Sequence, residues 1–242
     1  MKSRTFMKRR AFLRVGLAGA AAGGAVLAAP AVHAAEKFRW KMTTAFPPGL
    51  PFYQSGPGSA EWIVKSIDEA TDGRLKIKLF AAGELVKWNG GFDAVTGGTV
   101  EANSAVAYYW SGKAPALQYF GTVPFGMTFQ GQNAWYYHGG GLELWNEIYN
   151  DFGVIGMPCG NSGVQMTGWF KKPVKGLSDF KGLKMRIPGL GGDVMALLGA
   201  SPVSLPGGQI YENLVSGAID ATEWVGPYND YFMKFYEAAK YY

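Results

Sequence analysis

Residues 182–222 read GLKMRIPGLGGDVMALLGASPVSLPGGQIYENLVSGAIDAT. Their rhythm predicts a strand at Gly182–Ile187, a helix at Gly192–Leu198, a strand at Ser201–Leu205, a helix at Gln209–Val215 and a strand at Ala218–Thr222. Short apolar strands that alternate with helices indicate a mainly parallel sheet covered by those helices. The same order opens the chain's folded part. Phe38–Thr44 reads as a strand, Pro47-Pro48-Gly49 as a loop, and Gly56–Ala70 shows helical spacing at Trp62, Ile63, Ile67 and Ala70. Asp72-Gly73 then stops the helix, and Leu75, Ile77 and Leu79 alternate with Lys76 and Lys78 as a second strand.

An internal repeat links the two regions. Phe92–Ala102 (FDAVTGGTVEA) aligns at an offset of 119 with Tyr211–Ala221 (YENLVSGAIDA). Each reads as the end of a helix, a glycine turn and entry into a strand. Two related α/β lobes with a cleft between them are the architecture this implies: residues 35–155 mainly lobe 1, residues 156–242 mainly lobe 2.

Residues 1–34 belong to neither lobe. Lys2, Arg4, Lys8, Arg9, Arg10 and Arg14 precede an apolar run from Val15 to Ala29, then Pro30 and the small residues of Val32-His33-Ala34. A basic head, a short apolar middle and a cleavage site form a secretory signal, so the mature chain is expected to begin at Ala35. Arg9-Arg10-Ala11-Phe12-Leu13-Arg14 resembles the twin-arginine export motif. A membrane anchor is the alternative, but a spanning helix needs ~20 apolar residues and this run is shorter. The signal also carries the positive charge: six of the 23 basic residues leave with it, so 17 face 18 acidic ones, net −1. The basic pI therefore gives no support to nucleic acid as a partner. The single cysteine, Cys159, cannot form an internal disulfide, and beside Val154-Ile155-Gly156-Met157 it reads as a buried structural thiol.

Five groups of residues are candidates for chemistry. In Leu183–Ile187, Arg186 points to the opposite face from Leu183, Met185 and Ile187, and Pro188-Gly189 places it at the strand's carboxyl end. Ligands bind at such ends in open α/β sheets, and a guanidinium can hold a carboxylate through two parallel hydrogen bonds. Glu223-Trp224 follows the strand at Ala218–Thr222 and precedes Gly226-Pro227, where a helix can begin; the acid and the Trp224 carbonyl can serve as metal-ligand oxygens. Tyr108-Tyr109-Trp110, after the strand-like Asn103–Ala107, can supply cleft walls or a hydroxyl, with Tyr108 the candidate ligand contact. Asn229 and Asp230 lie just past Glu223, with Asn229 a further ligand candidate, and Phe46, Pro47 and Pro48 can border the cleft.

GNSGVQMTGWF at 160–170, GLKMRIPGLGG at 182–192 and LVSGAIDATEWVGPYND at 214–230 closely resemble the extracytoplasmic solute receptors of TRAP transporters, nearest the branch that captures 2-oxo acids and related monocarboxylates. The likeness runs from about Phe38 to Tyr242. It implies a two-lobed periplasmic solute-binding fold with mainly parallel or mixed sheets, closing on a small carboxylate and handing it to membrane subunits. It also implies a cation bridging protein and ligand, held by Glu223, Trp224 and the amide oxygen of Gln165. Arg186, Glu223 and a monocarboxylate sum to −1, so one monovalent cation balances them, and this charge count favours sodium over calcium. The family continues beyond the position of Tyr242, so the second lobe is expected to be incomplete in these 242 residues and the chain not to be a competent receptor as it stands.

Other functions have less behind them. An exported oxidoreductase would share the export signal, but the mature chain holds one histidine, His138, reads no C-x-x-C or G-x-S-x-G, and Gly189-Leu190-Gly191-Gly192 misplaces the third glycine of a dinucleotide fingerprint. His138 reads as a loop residue. A carboxylate receptor for a sensor or an ATP-driven importer fits the same scaffold. The ligand's identity and the oligomeric state, a homodimer among the options, are left open.

Overall fold

A computed structural model describes residues 36–54 and 56–242. The signal segment, its twin-arginine motif and the cleavage position lie outside the described residues. Two small sheets organise the chain from Lys37 on, which forms one compact unit. The first consists of β1 (Phe38–Thr44), β2 (Leu75–Phe80) and β3 (Ala102–Ser104), in the order β2-β1-β3 with both pairings parallel. The second consists of β4 (Trp169–Phe170), β5 (Lys184–Arg186), β6 (Ser201–Val203) and β7 (Ala221–Thr222), in the order β4-β7-β5-β6. There β5 pairs parallel with β6 and β7, and β4 lies antiparallel on the edge. The fold is α/β with parallel and mixed sheets.

The internal repeat is a repeat of topology. Helix α1 (Ala60–Ala70) joins β1 to β2, and α2 (Gly91–Thr96) runs into β3. In the second sheet α5 (Gly189–Leu197) joins β5 to β6, and α6 (Gly207–Ser216) runs into β7. Each half is a β-α-β-α-β unit whose first strand lies in the middle. Chain direction therefore diverges between the first and third strands of each unit, which makes the carboxyl ends of β1/β3 and of β5/β7 topological switch points.

Local chemistry sets the element ends. The Ser59 hydroxyl accepts the Trp62 amide at 3.3 Å and caps α1, four residues later than the expected start at Gly56. Asp72 and Gly73 both take positive φ and terminate it. Helix α5 begins at Gly189, three residues earlier than expected, and β7 keeps only two of the five residues expected at Ala218–Thr222. Two helices that sequence reading passed over, α3 (Phe129–His138) and α4 (Gly141–Asn150), cover the first lobe. Phe120, Tyr136, Trp145 and Tyr149 from this region bury with Phe92 and Trp110 in an aromatic core. His138 ends α3 instead of lying in a loop.

Two further expectations are corrected. Cys159 is exposed, as are Ile155 and Met157: the segment after α4 joins no sheet, and it packs inward through Phe152, Val154 and Gly156, the last against Trp145 and Tyr149. Tyr108–Trp110 lie in a 3-10 turn at Ala107–Trp110, past a strand that has already ended at Ser104. At the other end, α7 (Pro227–Met233) and α8 (Phe235–Ala238) lead to two tyrosines. The Tyr241 backbone bridges to that of Phe170, and the Tyr242 ring stacks on Trp169 with centroids 4.1 Å apart.

Gly168 fixes the approach of β4 to β7. Its φ is 150°, and a Cβ there would sit 2.4 Å from the Thr222 carbonyl oxygen. Backbone cannot yield as a side-chain tip can, so Gly168→Ala is expected to destabilise the fold by about 2 kcal/mol or more. Denaturant titration against the parent chain measures it, and a change within experimental error would contradict the assigned backbone.

Candidate functional site

The two switch points face each other. From the second lobe, Arg186 ends β5 and Glu223 follows β7, and the Glu223 amide donates to the Arg186 carbonyl at 3.2 Å, extending the parallel pairing one residue past the ladder. Both side chains are buried, at 2% and 3% exposure. From the first lobe, the chain after β3 brings Tyr108 and Tyr109, and the loop after β1 brings Phe46 and Phe52. Phe46 is buried in a core with Ile210, Leu214 and Trp224, and Phe52 sits between it and Trp224, with centroids 5.0 and 6.2 Å away.

Arg186 is held along its length. Nε donates to the Leu205 carbonyl at 3.3 Å, and Nη1 donates to Glu223 Oε1 at 2.5 Å and to the Glu223 carbonyl at 3.3 Å. The Trp224 ring lies against the guanidinium, 5.2 Å from Cζ to the centroid, a cation–π contact. That ring packs on the start of α6, where a Cβ on Gly207 would meet it at 2.7 Å. Nη2 takes no part in these bonds, and the Tyr109 hydroxyl is the other described group that draws on the guanidinium.

Glu223 faces three ways. Its Oε1 takes Arg186, its Oε2 takes the Gln165 side-chain amide, and its carbonyl takes the Thr222 hydroxyl at 3.0 Å. Gln165 reaches it because the strap Val164–Gly168 is pinned alongside the turn after β7. The Met166 amide donates to the Val225 carbonyl at 2.7 Å, and a Cβ on Gly226 would lie 3.3 Å from the Val164 carbonyl. The other end of the Gln165 amide accepts the Thr122 hydroxyl at 3.4 Å. Burial pushes the Glu223 carboxyl up to about 7, against the pull of Arg186 and with a further push from Asp230. Burial is the strongest single influence on Arg186 and works to lower its pKa, but Glu223, Tyr109 and Tyr108 together outweigh it, and the guanidinium stays charged.

Of the residues singled out in the sequence, Arg186, Gln165, Glu223 and Trp224 come together directly. Tyr108 borders them: its ring lies 3.2 Å from a Cβ placed on Gly189, at the start of α5, and its phenol is raised first by burial, then by Tyr109 and Glu223. Asn229 is buried on the first turn of α7, and its Oδ1 has no partner among the described residues. Tyr109 was not singled out separately, yet Arg186 lowers its phenol's pKa against the upward push of burial. Asp230 emerges as the most connected acid near the site. Open depressions of about 490 and 460 Å³ lie over β1 and β2, away from Arg186.

The donor set fits a hard cation. Glu223 supplies a carboxylate, and the Trp224 carbonyl accepts no hydrogen bond from any described residue although Trp224 is buried. The Gln165 amide, turned half a revolution, presents oxygen in place of nitrogen to Glu223. Carboxylate, amide and backbone oxygens are the ligands sodium and calcium take. Among the described residues no three His, Cys, Asp or Glu side chains cluster, which leaves no transition-metal site of that kind there.

Two α/β lobes meeting at paired switch points make this a two-lobed solute-binding protein. The chain belongs to the bacterial extracellular solute-binding proteins, family 7 (DctP), which match residues 57–242. These are receptors, not enzymes. A Nostoc protein named monocarboxylate 2-oxoacid-binding periplasmic protein is 52% identical over 204 residues, covering 84% of this chain and 55% of its own length. A TRAP periplasmic solute-binding protein from Pseudoalteromonas atlantica, solved with sodium and pyruvate, superposes with a TM-score of 0.80 at 43% identity, covering 84% of this chain and 61% of that one. One from Colwellia psychrerythraea, solved with calcium and pyruvate, gives 0.81 at 42% identity, covering 86% and 62%. The chain thus spans little more than half the length of the curated relative and about three fifths of these solved chains.

Proposed function

We propose that this chain is the ligand-capturing part of a TRAP-type periplasmic receptor for a small 2-oxo or hydroxy monocarboxylate, with residues 35–155 mainly lobe 1 and 156–242 mainly lobe 2. Arg186 pairs with the ligand carboxylate through Nη2, and Gln165, Glu223 and the Trp224 carbonyl hold a cation that bridges to the ligand. Tyr108 and Asn229 complete the walls. The observation that carries this reading is the buried Arg186–Glu223 pair at the β5/β7 switch point, reached by the half-buried Gln165 and flanked by a Trp224 carbonyl that no described residue engages. Relatives that hold pyruvate with sodium or with calcium support the ligand class. Export by the twin-arginine route, membrane subunits of a TRAP transporter as partners, and a homodimer belong to the same reading.

When bound, the cation supplies positive charge to a carboxylate that burial otherwise disfavours. The protein's own part is to keep water from the pair, fix Arg186 by its Nε bond to Leu205, and present three oxygens from two separate segments, the Val164–Gly168 strap and the turn after β7. Calorimetric titration of chelator-treated protein with pyruvate, lactate and longer 2-oxo acids, without cation and then with sodium or calcium, tests it. Binding of a monocarboxylate that strengthens with cation is expected. No carboxylate binding under any of these conditions would refute the proposal.

A further inference from the structure

Asp230 is almost fully buried, at 1% exposure, and every donor it takes comes from a segment bordering the site. Its Oδ1 accepts the Val225 amide at 2.9 Å, so it closes the turn Glu223–Gly226 onto the first turn of α7. Its Oδ2 accepts the Trp169 indole N–H at 2.9 Å and the Tyr242 hydroxyl at 3.3 Å. Trp169 starts β4, directly after the strap that carries Gln165. One carboxylate therefore ties the backbone that presents Glu223 and the Trp224 carbonyl to the strand that follows Gln165.

Its charge matters as well. Arg186, Glu223 and a monocarboxylate sum to −1, and counting Asp230 makes the buried set −2. A monovalent cation would leave that set at −1, whereas a divalent one brings it to zero. Burial raises the Asp230 carboxyl and the donors from Trp169 and Val225 pull it back, while Asp230 in turn pushes Glu223 upward. The two acids share one low-dielectric neighbourhood.

We infer that Asp230 is a positioning residue for the cation site, holding the Glu223–Gly226 turn against β4 and supplying the second negative charge that makes the site prefer a divalent cation. This rests on the cation being held by Gln165, Glu223 and Trp224. It also reverses the preference for sodium drawn from the sequence, because that count left Asp230 out.

The test is a matched pair of cation titrations, calcium and sodium separately, with pyruvate binding as readout and thermal unfolding recorded alongside. The parent protein is expected to reach half-maximal binding at a calcium concentration at least about 100-fold below that for sodium. Asp230→Asn keeps the acceptor for Val225 and removes the charge; it is expected to raise the calcium midpoint roughly tenfold and the sodium midpoint threefold or less. Trp169→Phe keeps the charge and removes one tether, so both midpoints should rise together, by about two- to fourfold.

A parent midpoint for sodium as low as for calcium overturns the charge argument without any variant. Equal shifts of both cations in Asp230→Asn overturn its part in the preference for a divalent cation, and midpoints unmoved in a folded Asp230→Asn or Trp169→Phe protein overturn the positioning role. Pyruvate binding indifferent to every cation would instead sink the underlying assignment of the cation site, which these titrations separate from the role of Asp230.

Discussion

Arg186→Lys is expected to weaken carboxylate capture by about 2 kcal/mol or more, roughly thirtyfold in Kd, while the protein still folds. The buried guanidinium is divided among three tasks at once. Nε holds the Leu205 carbonyl, Nη1 holds Glu223, and in the proposed reading Nη2 takes the ligand. An ammonium keeps the charge but concentrates it at one point, so it can satisfy Glu223 or the ligand and cannot span both with Leu205. It also gives up the flat contact with the Trp224 ring. Because a positive charge remains beside Glu223, the penalty for an unpaired buried carboxylate is largely avoided, and the melting temperature should fall by only a few degrees. Calorimetry of pyruvate binding at saturating cation reads the first effect and calorimetric unfolding the second. Unchanged affinity would make Arg186 a structural ion-pair residue and move the ligand elsewhere.

The sequence carried this site unevenly, for physical reasons. The β-α-β-α-β units were legible because strand alternation and helical spacing are local, and the repeat at Phe92–Ala102 and Tyr211–Ala221 followed from them. Arg186 and Glu223 were legible for the same reason: each stands one step past, or at the end of, a readable strand. Helix α4 carried a usable signal, with Leu142, Trp145, Ile148 and Tyr149 at helical spacing, that went unread. Helix α3 carried little, since Gly131 and mixed polar and aromatic residues blur its inward face. Cys159 misled because the apolar run before it implied burial, yet with no strand to pair with, Ile155 and Met157 stay at the surface. Tyr109 and Asp230 stand in stretches that the sequence marks, but nothing local points to their partners. Tyr109 meets Arg186 only because two lobes come together, and Asp230 gathers donors from positions 169, 225 and 242. The resemblance to a known family marked Gln165, whose neighbours in sequence say nothing of an acid 58 positions away.

Glu223→Gln is expected to abolish the dependence of ligand capture on a cation. Without cation or ligand, Glu223 is the only charged partner of Arg186 among the described residues, so an incoming carboxylate must take the guanidinium from an acid already 2.5 Å away. The ligand alone would leave Glu223 buried with no charged partner of its own, a state that costs several kcal/mol. A cation removes that cost by taking Glu223 as Arg186 is released to the ligand, so the two bind as a coupled pair. Gln has nearly the same size and still offers an oxygen to Arg186, but carries no charge. With it, ligand and Arg186 neutralise each other directly and the cation loses the carboxylate that holds it. Cation should therefore strengthen pyruvate binding by at least about tenfold in the parent, some 1.4 kcal/mol, and by less than twofold in the variant. Stability supplies a second, independent reading. Arg186 loses its counter-charge, so the ligand-free variant should unfold at lower temperature, and saturating pyruvate should recover most of the difference even in chelator. Titration across a sodium series at fixed ionic strength, repeated with calcium, measures the first effect. A parent protein that binds pyruvate equally well without any cation would remove the coupling altogether and leave Glu223 as nothing more than the buried partner of Arg186.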